Sequence, residues 1–446
     1  MKAVGTTALA AAVLLSAAIG SAQDEGLPRV LRYLPADLNF AGQACHAQVL
    51  EAPDGIPLRV ANLGLIDPDL CQATADIEVD PATTRLALVT AERLLAGELP
   101  APPPETLPPT ELSDRILPPV AFTTAAIDEG RRLVIGAGLN FAQHRDEVGA
   151  SDATSPSDSL LFPKATPPSP AYRPVPTGTA IGSVPPRPVV LLDYEAEIGL
   201  VLLEEVDLRA PPVRSQLLRD SALVTVNDLS DRGPIIGDDV YGYTRGKSHP
   251  GYLPLGPWLV PAWHLDLAAG SDGQRPLAVG LAVTRKDADG QQVSTTRQSD
   301  RSTSMLHGPT RVLDELSRRY LAGEPLCMPD AWGRPRLLHD ADGRIPAGSI
   351  LLTGTPGGTA LRSPGLTEKI RLFFEGGLTV SGARAELIEE LETDAWAFGF
   401  LAPGDVVETW VEALGRQQWE VVATEADEVY GVPGSGGCDD FQSDEE

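Results

Sequence analysis

Residues 191–203, LLDYEAEIGLVLL, read as a core β-strand that carries acid where a core strand should not. In extended backbone, side chains at i and i+2 share a face. Glu195 and Glu197 therefore project together with Asp193 in line behind them, while Tyr194, Ala196, Ile198, Leu200 and Leu202 line the opposite face. Adjacent carboxylates repel, and burying them unpaired costs several kcal/mol, roughly that of any uncompensated buried charge. Either water on an edge face or a cation in a site has to offset that cost.

Outward from this strand, the 446-residue chain can bury a substantial core. Its 62 acidic against 35 basic residues give a net charge of −27, and no basic stripe is visible, which argues against a nucleic-acid partner. With 43 Gly and 41 Pro the chain reads as turn-rich, α+β and mostly β. Residues 1–22, MKAVGTTALAAAVLLSAAIGSA, have a lysine, a short apolar run and small residues at the end. This is the layout of a signal peptide cleaved after Ala22, with an apolar run short of the roughly 20 residues a spanning helix needs. The expectation is an exported protein, periplasmic or secreted, with no membrane contact after cleavage. Cys45, Cys71, Cys327 and Cys438 are too scattered for a zinc site, and in an oxidising compartment they can form two disulfides. Cys45 with Cys71 is the natural local pair, leaving Cys327 with Cys438, although four cysteines allow three pairings.

Residues 23–125 form an N-terminal region, strand-rich with one helix, that ends in the proline-rich connector APPPETLPPTELSDRILPPVAF. A catalytic domain follows over 126–425, and 426–446 is an acidic tail. Residues 151–186, rich in Ser and Pro, read as irregular surface loop. PTRVLDELSRRYLAGE is the clearest helix, with Val312, Leu313, Leu316 and Tyr320 on one face, Thr310 as N-cap and Gly323 at the C-terminal cap.

Four polar islands interrupt apolar strand ends: GLNFAQHRDEVG (138–149), DYEAEIGL (193–200), VNDLSDRG (226–233) with GKSHPGYLPLGPW (246–258), and LLTGTPGG (351–358). Glu195, Glu197 and Asp228 offer three hard oxygen ligands suited to Mg²⁺, Mn²⁺ or Ca²⁺ rather than zinc. His144 and Glu147 lie three apart, so on a helical turn they share a face and can form an acid–base pair. The TGTPGG turn offers backbone N–H groups and hydroxyls for a carboxylate.

In this order, GLNFAQH..E, LFPK, LDYEAEIGLVL, ND.S.R, GKS, PLGPWLV, LTGTPGG and PGDVVE resemble the fumarylacetoacetate hydrolase family over about residues 130–415. The resemblance implies a mixed β-sheet roll and a homodimer. It implies metal binding by Glu195, Glu197 and Asp228, with Mg²⁺ the expected ion. It also implies catalytic roles for His144, Glu147 and Lys247, and substrate contacts from Lys164, Arg232 and Thr355. The implied reaction is hydrolysis of a carbon–carbon bond in a 2,4-dioxo acid (acylpyruvate or fumarylacetoacetate type) through a metal-bound enolate. Decarboxylation, hydration or isomerisation of a 2-oxo acid in the same site is the alternative, and a non-catalytic exported binding protein is a second class. Three departures stand out. Ile235 replaces a glutamine frequent in the family, Asp231 replaces a small residue, and residues 361–400 are longer than usual.

Overall fold

A computed structural model describes residues 26–424 and Cys438, apart from 75–77, 151–159, 182, 184–185, 238–240, 266–275, 288, 325 and 331. The expected signal peptide, most of the acidic tail and the start of the Ser/Pro-rich loop lie outside the described residues.

Following the chain, the N-terminal region contributes β1 (Val30–Tyr33), β2 (Gln43–Glu51), β3 (Arg59–Asn62), α1 (Pro81–Leu95) and β4 (Pro104–Thr106). Then come β5 (Val134–Gly138), α2 (Ala142–Glu147), β6 (Leu160–Pro163), β7 (Ala196–Leu202) and β8 (Ser221–Asn227). The short helices α3 (Arg232–Gly237) and α4 (Tyr241–Lys247) precede β9 (Trp258–Pro261) and the hairpin β10 (Ala278–Lys286) and β11 (Gln292–Arg301). Helix α5 (Pro309–Leu321), β12 (Cys327–Pro329) and β13 (Ile350–Leu352) lead to the helical pair α6 (Leu366–Glu375) and α7 (Val380–Thr393). Strands β14 (Val406–Val411) and β15 (Gly415–Val422) close the described fold.

The larger sheet runs β4-β3-β2-β1-β9-β8-β7-β13-β5-β6, and the smaller one packs β15, β14, β10 and β11 in that order. The architecture is α+β with mixed sheets, as the composition predicts. The N-terminal strands join the larger sheet directly, because β1 pairs with β9 at Val30↔Leu259.

Strand β7 sits between β8 and β13 and is buried along its whole length. Ala196, Ile198, Leu200 and Leu202 share one core cluster with Val279, Leu281, Val407 and Trp419 of the smaller sheet. Val201 belongs to a second cluster with Ala87, Leu88 and Ala91 of α1. Each large aliphatic side chain buried here contributes about 1.5–3 kcal/mol. A central position removes the edge-face explanation for the glutamates, so no water-exposed face offsets their charge.

Cys45 pairs with Cys71 and Cys327 with Cys438, joining residues 26 and 111 apart in sequence. Helix α5 buries Val312, Leu313 and Leu316, and Gly323 follows it at φ +69°. Its N-cap is Gly308 rather than Thr310, because Pro309 takes the first helical position, where its missing N–H and fixed φ fit. The long segment after TGTPGG forms α6 and α7. Helix α7 lies against α3, with Ile388 Cδ1 in van der Waals reach of a Cβ at Gly237.

Candidate active site

Strand register brings the carboxylates together. In the antiparallel pair β7–β8, Ala196 faces Asn227 and Glu197 faces Val226, so Glu195 and Asp228 are opposed just past the strand ends. The Asp228 N–H donates to Glu195 O (2.8 Å), and the Glu195 N–H to Asn227 Oδ1 (3.1 Å). Glu197, two residues along, shares the face of Glu195. Oxygens of Glu195, Glu197 and Asp228 lie within 4.8 Å of one another, all three residues buried.

Three cations surround this cluster. Lys247 Nζ bridges Glu195 Oε2 (2.6 Å) and Asp228 Oδ2 (2.7 Å). Lys164 Nζ donates to Asp228 Oδ1 (2.6 Å) and Leu229 O (3.1 Å). Arg232 divides its guanidinium between Asp193 Oδ2 (2.8 Å) and Glu195 Oε1 (2.6 Å). Glu197 Oε2 accepts from the Gly354 N–H (2.8 Å). Three cations thus face four carboxylates (Asp193, Glu195, Glu197 and Asp228), which leaves one negative charge uncompensated.

The titration behaviour follows from that imbalance. Burial, then Asp228 and Glu195, push the Glu197 carboxyl well above the usual carboxylate range. Burial acts in the same sense on Glu195, but Lys247 and Arg232 outweigh it and hold Glu195 low. For Lys247 the burial penalty is overcome by Asp228 and Glu195, and its pKa rises. Burial wins at Lys164, which is brought down to about 8 despite Asp228. Three clustered hard oxygen donors, with one more carboxylate than the surrounding cations match and no sulfur among them, fit a hard divalent cation held by Glu195, Glu197 and Asp228.

His144 enters from α2, whose approach is set by the GLNF turn. Leu139 there has φ +60°, and Asn140 Nδ2 donates to His307 O (2.7 Å) and Thr353 O (2.8 Å). The imidazole is buried, and its Nδ1 has no hydrogen-bond partner among the described residues. Burial lowers its pKa, more than Glu195 raises it, so the ring is held neutral and basic. The expected His144–Glu147 pair is not formed as a hydrogen bond. Glu147 shares the helix but turns away, accepting from the Gly358 N–H (2.8 Å) and pairing with Arg362 (2.5 Å).

The TGTPGG turn locks onto β7 edge-on. Gly354 has φ +86°, and a Cβ there would sit 2.7 Å from Ala137 O, so glycine is required for its N–H to reach Glu197. The Thr355 hydroxyl, expected to hold substrate, donates to Ala196 O (3.1 Å) and accepts from Gln298 Nε2 (2.8 Å). Its observed role is to hold the strand. Arg232 likewise compensates Asp193 and Glu195 rather than standing open for a ligand.

Two site residues escaped sequence reasoning as such. Asp193 anchors Arg232 and accepts from the Ala360 N–H (2.8 Å). Gln298, fully buried on β11, accepts from the Ala196 N–H (2.9 Å) between the two glutamates and donates to Pro356 O (2.8 Å). The only local signal for Gln298 is its place in the otherwise exposed strand QVSTTRQSDR. Asp231 does not face the cation cluster; its Oδ1 accepts from the Gly233 N–H (3.0 Å) at the start of α3.

The profile of the fumarylacetoacetate hydrolase C-terminal domain matches residues 133–422. Among characterised sequences, the chain is 24% identical over 302 residues to a 2,4-didehydro-3-deoxy-L-rhamnonate hydrolase from Sphingomonas, covering 67% of this chain and 76% of that one. An uncharacterised Pyrococcus horikoshii protein is 22% identical over 300 residues, 66% of this chain and 89% of its own. A candidate HpcE protein from Mycobacterium smegmatis superposes with a TM-score of 0.51 at 18% identity, covering 89% of this chain and all of that one, which shows a shared fold.

Proposed function

This chain belongs to the fumarylacetoacetate hydrolase family, whose members are hydrolases and isomerases generally dependent on a divalent metal, and we propose that it hydrolyses a carbon–carbon bond of an acylpyruvate-type 2,4-dioxo acid. The single observation that carries this reading is the buried neutral His144, with one ring nitrogen unpartnered, set beside the Glu195–Glu197–Asp228 cluster. The Sphingomonas relative's name, a hydrolase of a 2,4-didehydro sugar acid, agrees with the substrate class.

A bound divalent cation, Mg²⁺ by preference and Mn²⁺ or Ca²⁺ as alternatives, would supply the Lewis acidity that polarises a 2-oxo acid. The chain's own groups do the rest. His144 Nδ1 takes a proton from water, whose oxygen adds to the 4-oxo carbon. The C3–C4 bond then breaks, giving a carboxylic acid and a three-carbon enolate. The ammonium groups of Lys164 and Lys247 stabilise the negative charge that develops, in a site too buried for water to screen it. Protonation of the enolate at C3 completes pyruvate. Decarboxylation or isomerisation remains the second reading, favoured by one observation: Ile235 gives no polar contact where the family often has glutamine, and packs instead toward Gly246.

We place the protein outside the cytoplasm as a homodimer acting on a small oxo acid, without nucleic-acid partners. The N-terminal 22 residues, the two disulfides and the net charge of −27 support this placement. Cell fractionation and light scattering test export and dimerisation. The decisive assay follows loss of dioxo-acid ultraviolet absorbance for an acylpyruvate panel with Mg²⁺, with Mn²⁺ and with chelator. Metal-dependent turnover that yields pyruvate and a carboxylic acid is the expected result. Release of carbon dioxide would favour the second reading, and metal binding without turnover of any substrate would sink both.

A further inference from the structure

Helix α4 turns three distinct faces to its surroundings. Gly242 and Gly246, four apart, press on α3, and a Cβ at either would run into Pro234 O or Asp231 O. Thr244 turns toward Met328 of β12. Tyr243 and Lys247, also four apart, share the remaining face, and both meet Phe162 of β6. The Tyr243 ring stacks on Phe162 with centroids 5.8 Å apart, and Lys247 Nζ lies 5.2 Å from the same centroid. The close glycine contacts fix the rotation of α4 and so fix where both side chains point.

The helix also runs inward. Tyr241 at its start is 47% exposed and Lys247 at its end 2% exposed, with Tyr243 half-buried between them. Its phenol lies within electrostatic reach of Arg232, Lys247 and Glu195, and burial raises its pKa, so it stays a protonated donor. Among the described residues it makes no hydrogen bond. A phenol with no hydrogen-bond partner among the described residues thus sits one helical turn before the carboxylate-bound lysine, on the same helix face and against the same Phe162 ring.

We propose that Tyr243 is the hydrogen-bond donor to the 4-oxo oxygen of the substrate, and that it distinguishes acylpyruvates from smaller 2-oxo acids. This rests on the acylpyruvate reading of the site. As water adds to C4, the carbonyl electron pair moves onto that oxygen, and the phenol meets the charge as it forms. Tyr243 thereby supplies the polar contact that Ile235 lacks.

The test is Tyr243→Phe, which keeps the ring and its contact with Phe162. Acetopyruvate serves as substrate, and oxalate as a probe that has the two chelating carboxylates and nothing beyond them. The expected result is a fall in kcat of about tenfold to hundredfold, with Mg²⁺ and oxalate affinities unchanged by calorimetry. Unchanged kcat overturns the proposal. So does a parallel loss of Mg²⁺ and oxalate affinity, which marks a merely structural tyrosine. Should the wild-type protein bind both ligands with Mg²⁺ yet turn over neither, the hydrolase reading fails separately. The affinities then decide the tyrosine: weakening of acetopyruvate alone, by about tenfold, supports it, and equal or no weakening overturns it.

Discussion

At the β7–β8 end of the main sheet, Glu195 and Asp228 keep their charges in the core because Lys164, Lys247 and Arg232 stand against them, while burial and its two carboxylate neighbours push Glu197 toward its protonated form. At the β1–β2 end of the same sheet, Arg32 and His46 are direct cross-strand partners, both buried. There the histidine is neutral: burial, with Arg32 adding to it, brings His46 down to about 4, although a backbone contact to Leu70 O opposes them. A buried ionisable group either finds an opposite charge or gives up its own. The first solution leaves a strong local field able to bind a cation and polarise a ligand, in which the neutral His144 can act as a base; the second, with no such field beside it, leaves only structure at His46. The carboxylate end therefore reads as the functional one.

The largest expected effect tests whether the compensated end does chemistry. His144→Gln removes the proposed proton acceptor and should lower kcat by about 10²–10⁴-fold while leaving Mg²⁺ affinity unchanged by calorimetry. A variant with wild-type kcat would break the comparison, since the field around His144 would then serve nothing. Next is Lys247→Met, which leaves Glu195 and Asp228 facing each other without their shared ammonium. Breaking a buried pair this way costs about 3–5 kcal/mol, read from urea unfolding without metal. Added Mg²⁺ should recover part of that loss, because a ligand that binds only the folded state stabilises it. A variant as stable as wild type without metal would mean that the ammonium compensates nothing.

How much of this was legible beforehand depends on whether a feature is local. The paired glutamates at the start of β7, Glu195 just before it and Glu197 on it, announced themselves through period-2 alternation, and Asp228 through its motif, because extended backbone converts spacing directly into a shared face. His144 and Glu147 were legible only as residues that a helical turn would place on one face; that turn forms as α2, but the partner of Glu147 was not legible. Its carboxylate is taken by the N–H of Gly358, 211 residues away, a contact with no imprint on i,i+3 spacing. Gln298 was invisible for the same reason, reaching Ala196 across 102 residues. The Thr310 error was local and correctable, since the proline rule at the first helical position outranks a hydroxyl one residue on.

The neutral end makes its own prediction. Because the folded-state pKa of His46 lies below the ordinary value of 6.5, the unfolded chain takes up the proton first as the medium acidifies. The contribution of His46 is intact above pH 6.5 and is lost as pH falls toward about 4. That loss amounts to about 3 kcal/mol at the acid end. His46→Gln should flatten this part of the pH–stability curve, measured by urea unfolding at matched pH. An unchanged slope would show that His46 carries its charge in the core after all, and the contrast between the two ends would collapse.

Asp231 supplies the finest test, because it is a buried carboxylate between the two cases. Placed one residue before Arg232, it invites the reading that it adds negative charge to the cation site. The structure has it capping α3 through Gly233, with His249 Nε2 3.6 Å from its other oxygen. An amide oxygen caps as well as a carboxylate, so Asp231→Asn separates the two roles. It should leave Mg²⁺ affinity and stability close to wild type, whereas Asp231→Ala should lose about 1 kcal/mol through the cap alone. If instead the asparagine variant shifted Mg²⁺ affinity as strongly as it spared the fold, the charge of Asp231 would belong to the site, and the boundary between functional and structural burial would have to be redrawn to include it.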